Sequence, residues 1–441
     1  MRSFIGRRDG LRLGDSRLGS TPGPCFAGGA GLAWANLAGG NALHAWDFLV
    51  NQARWNGSGI GPVSNTPNWT FTRASTGYAQ TSAGALTAFA SGELRRTDKG
   101  VLIEGARTNL CLQSQTFDNA SWTSNQSSVS ANATTAPDGT STADLLTEDS
   151  TAGAVHRATQ SLTTTAAAHT ASVYVKPNGR TWVYMRMADN TSTPRRCYFN
   201  CSGSGSVGTA ESGMTGSIAA LANGWYRISA TIGTALAGAN FLVFGLSSAD
   251  NTETYNGDGT SGIYLWGAQL EAASFPSSYI PTTTASATRA ADTLKITGLS
   301  GLTHPLSLYC EIERVVDIGA VAEGLVATYA DGSNFAELFV SSANNATCAT
   351  TGGGSKASAA SVALGVTSKI AGRCATNDVN VALNGVAAAA DTTATMPSNP
   401  TEVWFGEELG TGVSSRPFCY IRRAAIWNRA LSDSELQSVS T

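Results

Sequence analysis

The segment that begins at Trp182 has the clearest pattern for ligand chemistry. Trp182, Tyr184 and Arg186 alternate with valine and methionine residues. A strand points successive side chains to opposite faces, so one face would enter a core and the other would present two aromatic rings and a guanidinium. Aromatic faces stack on the apolar face of a sugar ring, while Arg or Asn side chains bind its hydroxyls. Tyr198 and Asn200 on the next predicted strand complete a candidate glycan-binding face.

A structural interpretation competes with this one. Trp182 could belong to the core, with Tyr184 covering its edge, because large aromatic side chains contribute most when they are buried. Trp225 and Trp266 stand within dense apolar runs and are predicted to be core residues.

The loop from Asp250 to Asp258 gathers Asp, Asn and Glu oxygens of the kind that calcium prefers. Its spacing does not match a 12-residue EF-hand loop, and the same residue types are ordinary in turns. We therefore expect a turn, and the sequence predicts no metal site and no cofactor.

Carboxylates give little support for catalysis. A glycosidase needs two carboxyl groups about 5–10 Å apart, and the candidates Glu311, Glu313, Glu407 and Glu408 form no local motif. Glu311 and Glu313 would share one face of a strand, for which the polar face of an antiparallel sheet is a simpler account. We expect no enzymatic activity, although a polysaccharide-degrading enzyme stays an alternative because catalytic carboxylates need not be close in sequence.

The eight cysteines are scattered along the chain. Three residues rather than two separate Cys197 from Cys201, and only four histidines could complete a metal site. We predict small buried thiols, as in a protein assembled in a reducing cytoplasm. A disulfide between Cys348 and Cys374, or between Cys310 and Cys419, is the alternative.

The amino-acid composition indicates which type of secondary structure positions these residues. Of 441 residues only 13% are charged, whereas 48 are glycine and Ala, Ser and Thr are abundant, which favours pleated strands and turns over long helices. The net charge of −3 offers no broad basic face, so nucleic acid is not an expected partner. The N-terminus has no apolar run of signal-peptide length, and no run of about 18 apolar residues occurs, so we expect neither Sec export nor membrane insertion.

The pattern of strand signals divides the chain into five segments. We predict an arm over 1–45, a small β connector over 46–108, a β-sandwich over 109–280, a polar linker over 281–293 and a second sandwich over 294–441. Asn384-Gly385 is typical of a tight hairpin turn, and Ser432 with Glu435 three residues on predicts a capped C-terminal helix. The fold class is therefore all-β: tandem antiparallel β-sandwiches (jelly rolls), with a flexible N-terminal anchoring arm and a short C-terminal helix. The arm carries Arg2, Arg7, Arg8, Arg12 and Arg17.

Three stretches carry a resemblance to known families. Residues 71–75 (Phe-Thr-Arg-Ala-Ser) followed by 102–110 resemble a header found in bacteriophage tail and head fibre proteins. The stretch from Asn109 to Glu271, with Trp225-Tyr226 and the run 257–271, resembles the same phage proteins and, more loosely, jelly-roll carbohydrate-binding modules. Residues 418–436 are similar to the last strand and helix of concanavalin A-like, laminin G-like domains. Together they cover about three-quarters of the chain.

The resemblance implies a virion structural protein, a fibre or spike subunit made in the host cytoplasm and displayed on the virion surface. The arm would attach it to other phage structural proteins (capsid, portal or tail), and the sandwiches would bind host-surface polysaccharide for adsorption. Such fibres are commonly homotrimers, although no heptad pattern supports an oligomer here. A head-decoration or tail-adaptor protein that binds no glycan is the main alternative.

Overall fold

The computed structural model describes residues 32, 34, 35, 42–319, 321–350, 356–407, 409 and 416–441. These residues form two antiparallel β-sandwiches and one short α-helix, which confirms the predicted all-β class. No helix among them has the length and apolar character needed to span a membrane.

The elements follow one another in chain order. The first nine strands are β1 (His44–Asp47), β2 (Gln52–Trp55), β3 (Gly59–Gly61), β4 (Trp69–Thr72), β5 (Gly77–Gln80), β6 (Leu86–Phe89), β7 (Arg96–Thr97), β8 (Gly100–Ile103) and β9 (Arg107–Asn109). The next fourteen are β10 (Thr123–Asn125), β11 (Ser127–Thr134), β12 (Ala143–Glu148), β13 (Ala154–Val155), β14 (Arg157–Thr164), β15 (His169–Asn178), β16 (Trp182–Ala188), β17 (Pro194–Asn200), β18 (Ser206–Ala210), β19 (Met214–Ala220), β20 (Tyr226–Ile232), β21 (Gly238–Ser247), β22 (Thr254–Tyr255) and β23 (Gly262–Glu271). The last elements are β24 (Ala287–Arg289), β25 (Thr293–Ile296), β26 (Leu306–Arg314), β27 (Glu323–Asp331), β28 (Asn334–Val340), β29 (Asn345–Thr350), β30 (Lys356–Ser361), β31 (Thr367–Ala375), β32 (Asp378–Leu383), β33 (Val386–Ala387), β34 (Glu402–Phe405), β35 (Cys419–Trp427) and α1 (Asp433–Val439).

The N-terminal sandwich consists of two six-stranded sheets. Sheet 1 has the order β10-β14-β21-β16-β17-β18, and sheet 2 has the order β11-β12-β23-β15-β20-β19. Alternate residues of both sheets enter a shared core, as in Val173, Val175, Met185 and Phe244. The period-2 pattern in the sequence therefore identified the core faces of these strands.

The C-terminal sandwich pairs a seven-stranded sheet, of order β30-β29-β28-β27-β34-β25-β4, with a ten-stranded sheet centred on β35 and β26. Its large core includes Trp46, Leu308, Leu338, Ile370 and Ile426. The Asn384-Gly385 turn between β32 and β33 has positive φ at both residues, 48° and 81°, as the sequence predicted. Ser432 and Glu435 form the predicted capping box of α1.

The segment predicted as a separate connector instead belongs to the C-terminal sandwich. β1 and β8 both pair with β35 at the end of the chain, and β4 pairs with β25. Trp46 and Ile103 lie in the same core as Leu308. Short strands such as these cannot bury enough apolar surface alone, so they add to existing sheets.

Two predicted flexible segments have ordered parts. Near the end of the predicted arm, Leu32 and Ala35 are buried against Trp427 and Leu431, and the Trp34 indole donates to Asp47 at 3.2 Å. The five arm arginines lie outside the described residues. The predicted linker contains β24, which pairs with β9, and two fully buried charged residues described below, so it is not a free spacer.

Candidate functional site

The aromatic face predicted on β16 has the expected alternation, with a different exposure. Val183 and Met185 lie in the core of the N-terminal sandwich, and Tyr184 points to the outer face of sheet 1. There Tyr184 meets the cross-strand Tyr198 with ring centroids 5.6 Å apart. Both tyrosines are nearly inaccessible, at 0% and 1% exposure, so neither is free to stack on a sugar.

Trp182 and Phe241 pack against the two tyrosines, and the loop that follows β21 binds the neighbouring strands. Glu253 accepts two hydrogen bonds from Arg196 at 2.7 and 2.8 Å, and Asp250 accepts from the backbone and hydroxyl of Thr209 at 2.8 and 3.0 Å. These contacts hold the loop across the face beside Tyr198. The prediction is corrected for Tyr184 and Tyr198, because both rings are buried against Val243, Trp182 and Phe241.

The other three residues of the predicted site are half-buried. Trp182, Arg186 and Asn200 keep part of their surface at the rim of the same face. The structure brings all five predicted residues together on neighbouring strands, and the glycan-binding role of the three half-buried ones stays a prediction.

The acidic loop serves as a turn and a brace. Asp258 accepts from the backbone of Thr260 and Ser261 at 2.8 and 2.6 Å, and Glu253 is engaged by Arg196. Across the described ranges, no cluster of three or more His, Cys, Asp or Glu side chains is placed to hold a metal ion.

The acidic residues considered for catalysis contact basic side chains. Glu311 accepts from Arg422 at 2.9 Å and Arg423 at 3.1 Å, and Glu313 pairs with Lys99 at 2.7 Å. Glu407 pairs with Arg416 at 2.9 Å, and Glu408 lies outside the described residues. These carboxylates brace strands, and the expectation of no enzymatic activity stays a prediction.

A groove of about 370 Å³ lies between the outer face of sheet 2 and the C-terminal sandwich. Its floor is a row of hydroxyls from β19 and β20, including Ser217, Ser229 and Thr231. These residues face outward because the intervening Ile218, Ile228 and Ala230 face the core. The floor therefore offers several hydrogen-bonding groups on a rigid sheet.

Aromatic and basic side chains form the walls of this groove. Phe275 and Phe418 stack with centroids 6.2 Å apart and rings inclined by 24°. Tyr420 donates its hydroxyl to the Gln80 carbonyl at 3.0 Å, and the Lys99 ammonium lies 4.7 Å from the Tyr420 ring centroid. Apolar rings, hydroxyls and a cation thus converge in a cleft of the size that ligand sites occupy.

Arg227 joins the floor to the groove wall. Its guanidinium donates to the Ser277 carbonyl at 2.6 Å and to the Ser172 hydroxyl at 3.2 Å. It also lies over the Tyr174 ring at 5.4 Å. These contacts restrain the segment that carries Phe275.

A buried ion network beneath the groove joins the two sandwiches. Arg95 contacts both Glu104 and Asp292, Arg289 contacts Glu104 at 2.7 Å, and Arg73 contacts Asp292 at 3.2 Å. All five side chains are at most 2% exposed. We refer to them as the junction network.

The junction network stabilises the ionised form of Glu104. Burial alone would raise the pKa of this carboxyl, but Arg289, Arg95 and hydrogen bonds from Ser278 lower it to about 2. Arg73 and Glu104 belong to the two header stretches that resemble phage fibre proteins. The network gives those residues a structural role that the sequence did not reveal.

Sequence reasoning missed the groove because six separate segments build it. They are the hairpin β5–β6, the end of β7–β8, the sheet 2 strands, the stretches after β23 and after β26, and the start of β35 with the residue before it, and they approach one another only in the folded chain. The alternation of Ser229 and Thr231 with core residues was visible in the sequence. Nothing local showed what the outer face would meet.

Comparison with known proteins finds similarity to solved structures only. No family model matches the chain, and no curated protein matches it. Among solved structures, a Ruminococcus gnavus IT-sialidase carbohydrate-binding module (CBM40) bound to α2,3-sialyllactose matches with 15% identity and a TM-score of 0.27, covering 31% of this chain and 83% of that one. The receptor-binding domain of botulinum neurotoxin type G matches with 10% identity and a TM-score of 0.25, covering 33% and 41%. Scores this low carry no argument about what this chain binds.

Proposed function

We propose that the protein is a fibre or spike subunit of a bacteriophage virion that binds host-surface glycans during adsorption. The observation that carries the glycan part is the groove, where a hydroxyl row faces aromatic walls and Lys99. Sugar rings present apolar faces and hydroxyl edges, and this lining matches both. The support for a virion role is the resemblance of residues 71–75, 102–110 and 257–271 to phage fibre proteins.

The resemblance of residues 418–436 to concanavalin A-like domains fits the same proposal. The C-terminal sandwich would then serve as a second outward-facing module and as one wall of the groove. Weak individual sites would be sufficient, because repeated subunits on one particle raise the apparent affinity by roughly 10²–10⁴ when the geometry allows simultaneous binding. A homotrimer would supply three such grooves.

A blocking substitution in the groove tests glycan binding. Ser217 is exposed on the groove floor, so Ser217→Trp should fill the cleft without disturbing the core. The matched control is Ser130→Trp, an equally exposed position on β11 at the opposite edge of the same sheet. On an array of bacterial glycans, wild type and Ser130→Trp should give the same signals, and Ser217→Trp should lose most of them.

Two outcomes would contradict the groove as the binding site. If multimerised wild-type protein gave no signal on the array, the proposal of glycan binding would be refuted. Signals unchanged in Ser217→Trp would place any bound glycan elsewhere.

The virion attachment role is assigned to the arm arginines. Deleting residues 1–31 removes Arg2, Arg7, Arg8, Arg12 and Arg17 and spares Leu32 and Trp34, which contact the C-terminal sandwich. We expect the truncated protein to fold, to keep glycan binding and to be absent from particles in a complementation assay. Normal incorporation of the truncated subunit would refute the attachment role.

The junction network favours one alternative. A rigid connection between two sandwiches also suits a head-decoration or tail-adaptor spacer that binds no glycan. The array experiment decides between the two, because a spacer would give no signal. Release of reducing ends from host polysaccharide would instead support the enzymatic alternative.

A further inference from the structure

The outer face of sheet 1 carries a cluster of arginines. Arg186 on β16 lies directly across from Arg196 on β17, and Arg157 lies on β14, two strands away from β16. Like charges placed directly opposite each other destabilise a sheet. Three guanidinium groups therefore share one face.

The acidic side chains nearby are already engaged. Glu211 and Glu253 both pair with Arg196, at 3.0 and 2.7 Å. Within the described part of the chain, no carboxylate lies at ion-pair distance from Arg157 or Arg186. The Nε atoms of these two arginines are buried without a hydrogen-bond partner.

The strand register places both arginines beside Tyr184, since Arg157 is separated from it only by Gly245 and Arg186 lies two residues along β16. Burial raises the pKa of Tyr184 to about 12, while Arg157 and Arg186 both act to lower it. The pKa of Arg186 itself is lowered by burial first and then by Arg196 and Arg157. Glu253 raises the pKa of both groups and so offsets part of the positive charge that the two arginines place beside Tyr184.

The surroundings hold Arg186 in place and leave it partly accessible. Its guanidinium lies 5.0 Å from the centroid of the Phe241 ring, which restricts its orientation. Arg157, Arg186, Phe241 and Trp182 are all half-buried, so a ligand can reach them from solvent. A planar guanidinium binds carboxylate and phosphate oxygens through two parallel hydrogen bonds.

We propose that Arg157 and Arg186 form a second binding site, specific for an oxyanion carried by a host-surface polysaccharide. This inference builds on the proposed glycan binding, but it concerns the face opposite the groove. The site selects anionic glycans, either uronate-containing polymers or polymers linked by phosphate. The sugar rings beside the anion would contact Trp182 and Phe241.

Binding of defined glycans to the full-length protein tests the proposal. Calorimetry would compare an oligomer of galacturonic acid, an oligomer of glycerol phosphate and neutral oligogalactose as probes. We expect at least one anionic probe to bind more tightly than the neutral one, with affinity that falls as salt is raised. Arg157→Gln and Arg186→Gln should each weaken that binding about tenfold, and Arg186→Lys should lose less because it keeps the charge but not the fork.

The control variant is Arg195→Gln, which removes one charge from the same strand pair at a residue already balanced by Asp189. It should leave anion affinity within about twofold of wild type. A purely structural role for Arg186 predicts a lower melting temperature in Arg186→Gln. The proposal predicts a melting temperature that is unchanged or higher, since repulsion with Arg196 is removed, together with a smaller stabilisation by the anionic probe.

The outcomes separate this site from the groove. Anionic probes bound by Ser217→Trp but not by Arg186→Gln support the second site even if the groove binds nothing. Equal affinity for all three probes, or anion affinity that Arg186→Gln and Arg157→Gln leave unchanged, would overturn it.

Discussion

Removing the charge of Glu104 should destabilise the junction between the two sandwiches. The side chain is 2% exposed and contacts Arg95 and Arg289, so Glu104→Gln leaves two buried guanidinium groups short of a countercharge. The folded-state pKa of Glu104 is about 2, compared with an ordinary value of 4.5. At about 1.4 kcal/mol per pKa unit, ionisation of this carboxyl favours the folded state by about 3 kcal/mol at neutral pH. Breaking a buried ion pair from one side costs about 3–5 kcal/mol, so both estimates agree.

The same shift sets the pH dependence. A carboxyl whose pKa is lower in the folded state stabilises the protein above its unfolded pKa and loses that contribution as pH falls through its folded pKa. For Glu104 the contribution is complete above about pH 5 and is lost between pH 4.5 and about 2. The difference between wild type and Glu104→Gln should therefore shrink from about 3 kcal/mol at pH 7 to roughly 1 kcal/mol at pH 3.

Urea unfolding followed by tryptophan fluorescence at pH 7 and pH 3 measures both quantities. Trp266 lies in the buried aromatic cluster with Tyr279, whose neighbour Ser278 donates a hydrogen bond to Glu104, and so it reports on this region. Glu93→Gln is the matched control, because Glu93 is exposed on the same segment and its loss should change stability by no more than about 0.5 kcal/mol. A destabilisation by Glu104→Gln below 1 kcal/mol at pH 7, or a difference that does not change with pH, would refute the reasoning.

Three further predictions concern single contacts. Ser432→Ala should lower the free energy of unfolding by about 1 kcal/mol, measured by urea denaturation, because it removes the side-chain cap of α1; no change would show that the cap is unimportant. Gly245→Ala should lower the free energy of unfolding by about 1–3 kcal/mol and increase the solvent exposure of Tyr184, because a Cβ at this position would lie 2.1 Å from the tyrosine ring. Ultraviolet difference spectra would detect the exposure. The sulfurs of Cys348 and Cys374 lie 3.4 Å apart in the C-terminal core. Under mildly unfolding conditions the oxidant diamide should therefore join them in a disulfide, which mass spectrometry detects as the loss of two hydrogens. Cys348→Ser should abolish that product.

Much of the fold could be predicted from local patterns. The strands at 171–176, 182–187 and 419–427 lie within or match β15, β16 and β35, because period-2 alternation depends only on neighbouring residues. The Asn384-Gly385 turn and the capped helix were equally local, since each depends on a few side chains and the φ values that they allow. Buried cysteines followed from composition, and all seven in the described ranges are buried.

Long-range contacts decided the rest. Tyr184 was correctly assigned to the outer face, but it is buried there against Val243 and Phe241 of β21, a strand far along the chain that pairs with β16. Arg73 and Asp292 are 219 residues apart and meet in the junction network. The sequence alone determined which side of each strand is apolar, because that property is set by alternation. Which of those faces stays open to a ligand depends on what the folded chain places against it, and only the tertiary structure decided that the hydroxyl row of β19 and β20 is the floor of a groove.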